Sequence, residues 1–130
     1  MSKLKGREVM QRATFLRFNA KMILKFDLSG LDEIEDARRV IEYCRSMVEK
    51  MPKKSIVGLV DLTGLKVADE MTHEMIRLME SCGQFVRATA VLADDAESVR
   101  LAKAVSTHFG GIDLPIYQEE EAAKEWLFSQ

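Results

Sequence analysis

Residues 55–83 read SIVGLVDLTGLKVADEMTHEMIRLMESCG and contain the pattern that decides the fold. The first seven residues are nearly all apolar, which is typical of a short central strand covered on both faces. A turn at Gly64 follows, and after it apolar side chains recur every three or four positions, which predicts an amphipathic helix. This helix is expected to begin near Ala68 or Asp69 and to end at Gly83, a favourable C-terminal cap. A buried strand followed at once by such a helix is typical of an α/β fold.

Two strands and a helix are predicted before this stretch. Residues 13–18 and 22–28 read as strands joined by a short hairpin-like connection at residues 19–21. Asp32 is followed three residues later by a glutamate, a variant of the capping box that predicts a helix start. The apolar stripe of this helix continues up to Pro52, where we expect the helix to stop.

The remaining elements alternate between strand and helix. We predict a buried strand at residues 85–93, a helix capped by Asp94 or Asp95, a short edge strand at 114–117 and a final helix at 119–128. The predicted order is β-β-α-β-α-β-α-β-α. This order favours a single mixed, mostly parallel sheet flanked by helices, with the first hairpin as an antiparallel edge.

Length and composition are those of one globular domain. The 130 residues carry a net charge of -2 and contain no apolar run near membrane-span length, so we expect no nucleic-acid partner and no integral membrane association. The polar N-terminus and two free, buried cysteines, Cys44 and Cys82, favour a cytoplasmic location. No repeat or linker is evident, so residues 1–130 are predicted to form one domain, with 1–12 a poorly packed extension.

Residues that could take part in a reaction lie at the ends of two of the predicted strands. They are Asp61, Thr63, Asp94 and Asp95. Carboxylates at the carboxyl ends of strands could bind Mg²⁺ or accept a phosphoryl group. A receiver-type site would also need an acidic pair after the first strand and a lysine after the last, and both are missing. Helix capping explains Asp94 and Asp95 more simply. We therefore expect no catalytic residues, no metal site and no cofactor.

Several segments resemble the bacterial STAS domains, the sulfate-transporter and anti-sigma-factor-antagonist domains. They are VDLTGLKVADEMTHEMIRL at 60–78, VRATAVLADD at 86–95 and AAKEWL at 122–127. These segments look more specifically like the divergent STAS-like branch, which is often grouped structurally with CRAL-TRIO lipid-binding domains. The resemblance covers most of residues 13–128. It implies a STAS-like fold and a regulatory protein that binds an anti-sigma-like factor or another regulator.

The family's switch motif is Asp-Ser-Ser-Gly-Leu, and its second serine is phosphorylated by a partner kinase. Aligned on this chain, the motif's aspartate falls on Asp69, its serines on Glu70 and Met71, and its last two residues on Thr72 and His73. Only the aspartate is retained. Because methionine cannot accept phosphate, the resemblance does not carry the phosphorylation switch over to this chain.

Two functions remain as hypotheses. The first is a non-catalytic module that binds a partner protein, or a second copy of itself, through the surface after the central strand. The residues expected on that surface are Thr63, Gly64, Lys66, Asp69, Glu70 and Thr72. The alternative is a carrier of a small apolar or lipid-like ligand in a pocket beside the second long helix, beneath Met71, Met75 and Met79.

Overall fold

The computed structural model describes residues 3–18, 21–66 and 69–130. Its elements in chain order are α1 (Gly6–Gln11), β1 (Ala13–Phe18), β2 (Lys21–Asp27), α2 (Ile34–Val48), β3 (Ile56–Asp61), α3 (Asp69–Cys82), β4 (Val86–Leu92), α4 (Ala96–His108), β5 (Ile116–Tyr117) and α5 (Glu120–Phe128). The predicted order of strands and helices is confirmed, with the short helix α1 added before it. Asn19 and Ala20 of the predicted connection, and Ala68 at the predicted helix start, lie outside the described residues.

The five strands form one sheet in the order in which they occur in the chain. β1 pairs with β2 antiparallel, and β2, β3, β4 and β5 pair in parallel. All six residues of β3 are buried, as expected of a central strand with apolar side chains on both faces. The predicted mixed, mostly parallel sheet with an antiparallel edge is therefore confirmed.

Helices cover both faces of the sheet. Ile56 and Val60 belong to an apolar cluster with residues of α2, α3 and α4. Val57 and Leu59 point to the opposite face, where Ala123 and Leu127 of α5 join them. Alternate residues of one strand thus contribute to two cores, because successive side chains of a strand point to opposite faces.

The N-terminal segment is anchored on α2. Asp36 is 2% exposed, and its carboxylate accepts hydrogen bonds from the backbone amides of Lys3, at 2.9 and 3.0 Å, and Leu4, at 3.1 Å. The Arg39 guanidinium donates to the Leu4 carbonyl oxygen. Most side chains of residues 3–12 are exposed, but Val9 is buried in the core. The described part of the predicted extension, residues 3–12, therefore contains a helix, one core residue and a backbone anchored at Lys3 and Leu4.

The start of α2 differs from the prediction. The helix begins at Ile34 with Glu33 in the N-cap position, so the predicted cap at Asp32 is wrong. The Asp32 carboxylate instead lies 3.5 Å from the Lys3 ammonium. The prediction for α4 is confirmed, because Asp95 caps this helix by accepting a hydrogen bond from the Ser98 amide at 2.7 Å.

Both cysteines are buried free thiols, as predicted. Burial raises the pKa of Cys44 to about 12 and that of Cys82 to about 11, so both remain protonated at neutral pH. No helix in the described part of the chain is long and apolar enough to cross a membrane.

Candidate functional site

Strands β2 and β3 each lead into a turn, and the two segments have nearly the same sequence. They are DLSGL at 27–31 and DLTGL at 61–65, and the aspartate of each is the last residue of its strand. Asp27 and Asp61 are direct partners in the parallel register, so the two segments lie side by side at the carboxyl edge of the sheet. We call them the paired turns. No repeat was predicted from the sequence, and this local one was missed.

Each turn is closed by its own aspartate. One carboxylate oxygen of Asp27 accepts hydrogen bonds from the amide and the hydroxyl of Ser29. The equivalent oxygen of Asp61 accepts from the Thr63 amide at 3.0 Å and the Thr63 hydroxyl at 2.6 Å. Bonds of this kind stabilise turns, because the side chain replaces a backbone acceptor.

The two turns also contact each other through their backbones. Gly30 and Gly64 have φ values of +68° and +70°, a left-handed conformation that favours glycine. The Gly30 amide donates to the Thr63 carbonyl at 2.9 Å, and the Lys66 amide donates to the Leu31 carbonyl at 2.9 Å. The paired turns therefore form one continuous hydrogen-bonded edge.

A network of ion pairs lies on the α5 side of this edge. The Lys25 ammonium is 2.6 Å from a carboxylate oxygen of Glu120 and 3.7 Å from the second oxygen of Asp61. The Lys124 ammonium is 2.9 Å from the other oxygen of Glu120. Hydrogen bonds from Lys25 and then Lys124 lower the pKa of Glu120.

Asp61, Thr63 and Asp94 were considered above as possible Mg²⁺ ligands or phosphoryl acceptors. Asp61 uses one oxygen in its turn and faces Lys25 with the other, and the Thr63 hydroxyl donates to Asp61. Asp94 is exposed beside the cap of α4. Among the described residues, no group of three or more His, Cys, Asp or Glu side chains is arranged to hold a metal ion. The contacts of Asp61 and Thr63 are those of a structural turn.

A cleft of about 380 Å³ lies beside the paired turns, between the first turns of α2 and α3. We call it the turn cleft. Its apolar lining consists of Leu31, Ile34, Ala37, Leu65 and Met71, and its charged rim of Asp32, Glu33, Lys66 and Glu70.

The acidic residues of this rim have cationic neighbours. Lys3 lies 3.5 Å from Asp32 and 3.6 Å from Glu33, and Arg38 lies 3.8 Å from Glu70. Lys66 is exposed and has no ion-pair partner within residues 3–18, 21–66 and 69–130. The turn cleft therefore combines an apolar floor with one unpaired positive charge.

The predicted partner-binding residues differ in their position relative to this cleft. Lys66 and Glu70 line it, whereas Thr63 and Gly64 belong to the second of the paired turns. Asp69 and Thr72 lie in the first turn of α3 but are not lining residues. The opposite wall, from Leu31 to Ala37, was not predicted. The repeat of the DLxGL pattern was the sequence signal that could have located it.

The predicted methionine pocket is divided between two spaces. Met71 lines the turn cleft. Met75 and Met79 line a separate cavity of about 320 Å³, which lies between α3 and Gly58 of β3. We call it the strand cavity. The three methionines therefore do not share one pocket, and the prediction of a single pocket is wrong in this respect.

Comparisons with protein-family models and with curated proteins give no match for this chain. A solved structure does align with it: an uncharacterised protein of the DUF3478 family from Shewanella loihica, described as having a SpoIIAA-like fold. The two share 20% sequence identity with a TM-score of 0.67, over 88% of this chain and 91% of that one. This similarity, together with the mixed five-stranded sheet, shows that the chain has a SpoIIAA-like fold, the STAS-like arrangement that its sequence resembles.

Proposed function

We propose that the chain is a non-catalytic regulatory module that binds a partner protein through the turn cleft. The observation that supports this most is the cleft's combination of an apolar floor with a lysine at its rim, Lys66, that has no ion-pair partner among the described residues. The cleft lies beside the paired turns and the start of α2, where backbone hydrogen bonds hold the described residues in place. Groups that are already held in place lose less conformational freedom when a partner binds.

The chemistry of the rim defines the partner. An apolar side chain of the partner would enter the cleft, where it loses contact with water against Ile34 and the accessible edges of Leu31 and Leu65. A neighbouring carboxylate would pair with Lys66. Because Asp32, Glu33 and Glu70 already have cationic neighbours, Lys66 is the charge that selects this partner. A second copy of the chain, presenting such a pair, is included in this class.

The proposed module lacks the phosphorylation switch of the family that it resembles. Met71, which aligns with the family's phosphorylated serine, is 1% exposed. Its side chain is packed in the core and has no group that could be modified by a kinase. Binding at the turn cleft is therefore proposed to depend on the partner's presence and concentration.

The test compares two charge reversals in quantitative affinity purification from native lysate. Lys66→Glu changes the rim of the turn cleft, and Lys103→Glu changes an exposed position on α4 by the same charge. We expect a protein that wild type and Lys103→Glu both recover and that Lys66→Glu does not. A wild-type protein that is strictly monomeric, with no recovered protein separating the two variants, would contradict the proposal.

The strand cavity favours a second candidate function, the carrying of a small ligand. Its volume of about 320 Å³ lies in the range of small-molecule sites, about 300–1,000 Å³. Its walls are largely apolar and include Met75 and Met79, whose side chains adapt readily to the shape of a ligand. Native mass spectrometry of gently purified protein tests this function. A bound mass that is released on denaturation supports it, and a bare polypeptide mass contradicts it.

A further inference from the structure

The strand cavity lies where Gly58 leaves a gap in the face of β3 that α2, α3 and α4 cover. Ile56 and Val60, on the same face, are both buried in the core. The three heavy atoms nearest to a Cβ atom built on Gly58 belong to the side chains of Thr89 and Val86, at 3.6 Å or more. The cavity therefore lies between a bare strand position and the methionines of α3.

Charged groups lie at the end of this cavity that is opposite to the paired turns. Lys54, just before β3, and Arg87, near the start of β4, both line the cavity, together with Asp113. The Lys54 ammonium donates to the Gly83 carbonyl at 3.3 Å. Arg87 is exposed and forms no ion pair or hydrogen bond with another described residue. Two cations and one carboxylate thus line this end of the cavity.

We propose that the strand cavity binds a small amphipathic carboxylate, with its head group at Arg87 and Lys54 and its apolar chain against Met75, Met79 and Val86. This inference rests on the second candidate function and names its ligand class. A volume of about 320 Å³ holds about ten groups the size of a water molecule, at about 30 Å³ each. A ligand of about ten to twelve non-hydrogen atoms, its carboxylate included, therefore matches this volume.

The head group follows from the charges. The guanidinium of Arg87 presents parallel N–H donors that match the two oxygens of a carboxylate. Lys54 adds a second positive charge, and its bond to the Gly83 carbonyl keeps its ammonium at this end of the cavity. Asp113 would repel the head group, which places the carboxylate on the side of the two cations.

The apolar walls exclude a larger polar ligand. Cys82 lines the cavity. Its thiol stays neutral because burial raises its pKa to about 11. Thr89 is the lining hydroxyl group beside Gly58. The deep part of the cavity therefore suits a hydrocarbon chain.

The test titrates decanoate and its neutral analogue decanol into the full chain, with amide chemical shifts as the readout. Arg87→Gln removes the head-group contact, and Arg100→Gln is the matched control at an exposed position of α4. We expect decanoate to bind wild type and Arg100→Gln equally, and Arg87→Gln about tenfold more weakly, the usual range for loss of a charged hydrogen-bonding partner. Decanol binding should be the same in all three.

Two further variants locate the site and separate the possible failures. Gly58→Val and Met79→Trp both fill the strand cavity, so each should weaken both ligands; two variants are used in case one does not fold. If decanoate and decanol bind but Arg87→Gln weakens neither, the carboxylate inference is overturned while the carrier function stands. If neither ligand binds wild type, or if a folded cavity-filling variant still binds both, the inference and the carrier function both fail.

Discussion

Asp27 and Asp61 lie side by side on neighbouring parallel strands. Each carboxylate accepts hydrogen bonds from the amide and the hydroxyl of the residue two positions later. The same local turn is thus built twice, and the register of the sheet places the copies side by side. Residues at the end of the turns or just after them, among them Leu31 and Lys66, reach the same cleft for this reason. The position of the proposed binding surface is a consequence of this pairing.

Removing the Asp61 carboxylate should destabilise the fold. Asp61 is 8% exposed, and Asp61→Ala would leave the Thr63 amide and hydroxyl and the Lys25 ammonium without this acceptor. We expect a loss of about 1–3 kcal/mol in the free energy of unfolding, measured by urea denaturation. Asp94→Ala, at an exposed carboxylate on the same edge, is the control and should change it by less than about 0.5 kcal/mol. Equal effects of the two substitutions would contradict the turn-closing role.

Two glycine-to-alanine substitutions should differ in their effect on the free energy of unfolding. Gly64 has a φ of +70°, and a Cβ atom there would lie 3.6 Å from the Gly30 backbone, so Gly64→Ala should destabilise the chain by about 1–2 kcal/mol. Gly58 has room for a Cβ atom, so Gly58→Ala should be neutral or stabilise by up to about 1 kcal/mol. Thermal or urea unfolding of the pair decides. A destabilised Gly58→Ala variant would contradict the account of the strand cavity.

The anchor at Asp36 should control the order of the N-terminal segment. Asp36→Ala removes the acceptor of the Lys3 and Leu4 amides, and we expect a loss of about 2 kcal/mol, in the range for a buried, charged acceptor. Hydrogen exchange should show lost protection in residues 3–11 and unchanged protection in β3. Glu35→Ala, at the exposed neighbouring position, is the control. Equal exchange of residues 3–11 in both variants would refute the anchor.

Stability should depend on pH through Glu120. Its pKa in the folded chain lies below the ordinary value of 4.5 because Lys25 and Lys124 donate to its carboxylate. A lowered pKa contributes stability above the unfolded value, and this contribution is lost as the pH falls through the folded value. When the pH falls from neutral to below 4.5, the free energy of unfolding should therefore decrease less in Glu120→Gln than in wild type. The difference should be about 0.5–1 kcal/mol, because the pair is partly exposed. Glu125→Gln, at an exposed position of α5, should behave like wild type.

The order of the elements could be predicted because each segment has a clear local pattern. The apolar run of β3 and the spaced apolar residues of α2 and α3 differ in period, and period distinguishes strands from helices. The cap of α2 could not be predicted in this way. Asp32 has the right type and spacing for a cap, but its carboxylate lies near Lys3, which is distant in sequence.

The site was only half predictable for a similar reason. Lys66 and Glu70 follow the central strand directly, so sequence alone located them. Leu31 and Ala37 reach the same cleft only through the pairing of β2 with β3. The stripe of Met71, Met75 and Met79 did suggest one pocket, but eight residues of helix span about 12 Å. The stripe is therefore long enough to line two separate spaces.

Contact between the turn cleft and another protein can be detected by site-specific photo-cross-linking. A photoreactive side chain is placed at position 66, on the cleft rim, or at position 103, on exposed α4, and the full chain is irradiated in native lysate. We expect a discrete cross-linked product from position 66, formed with a partner protein or with a second copy of the chain. We expect no such product from position 103. The same products from both positions, or only uncross-linked chain from both, would contradict the proposed contact.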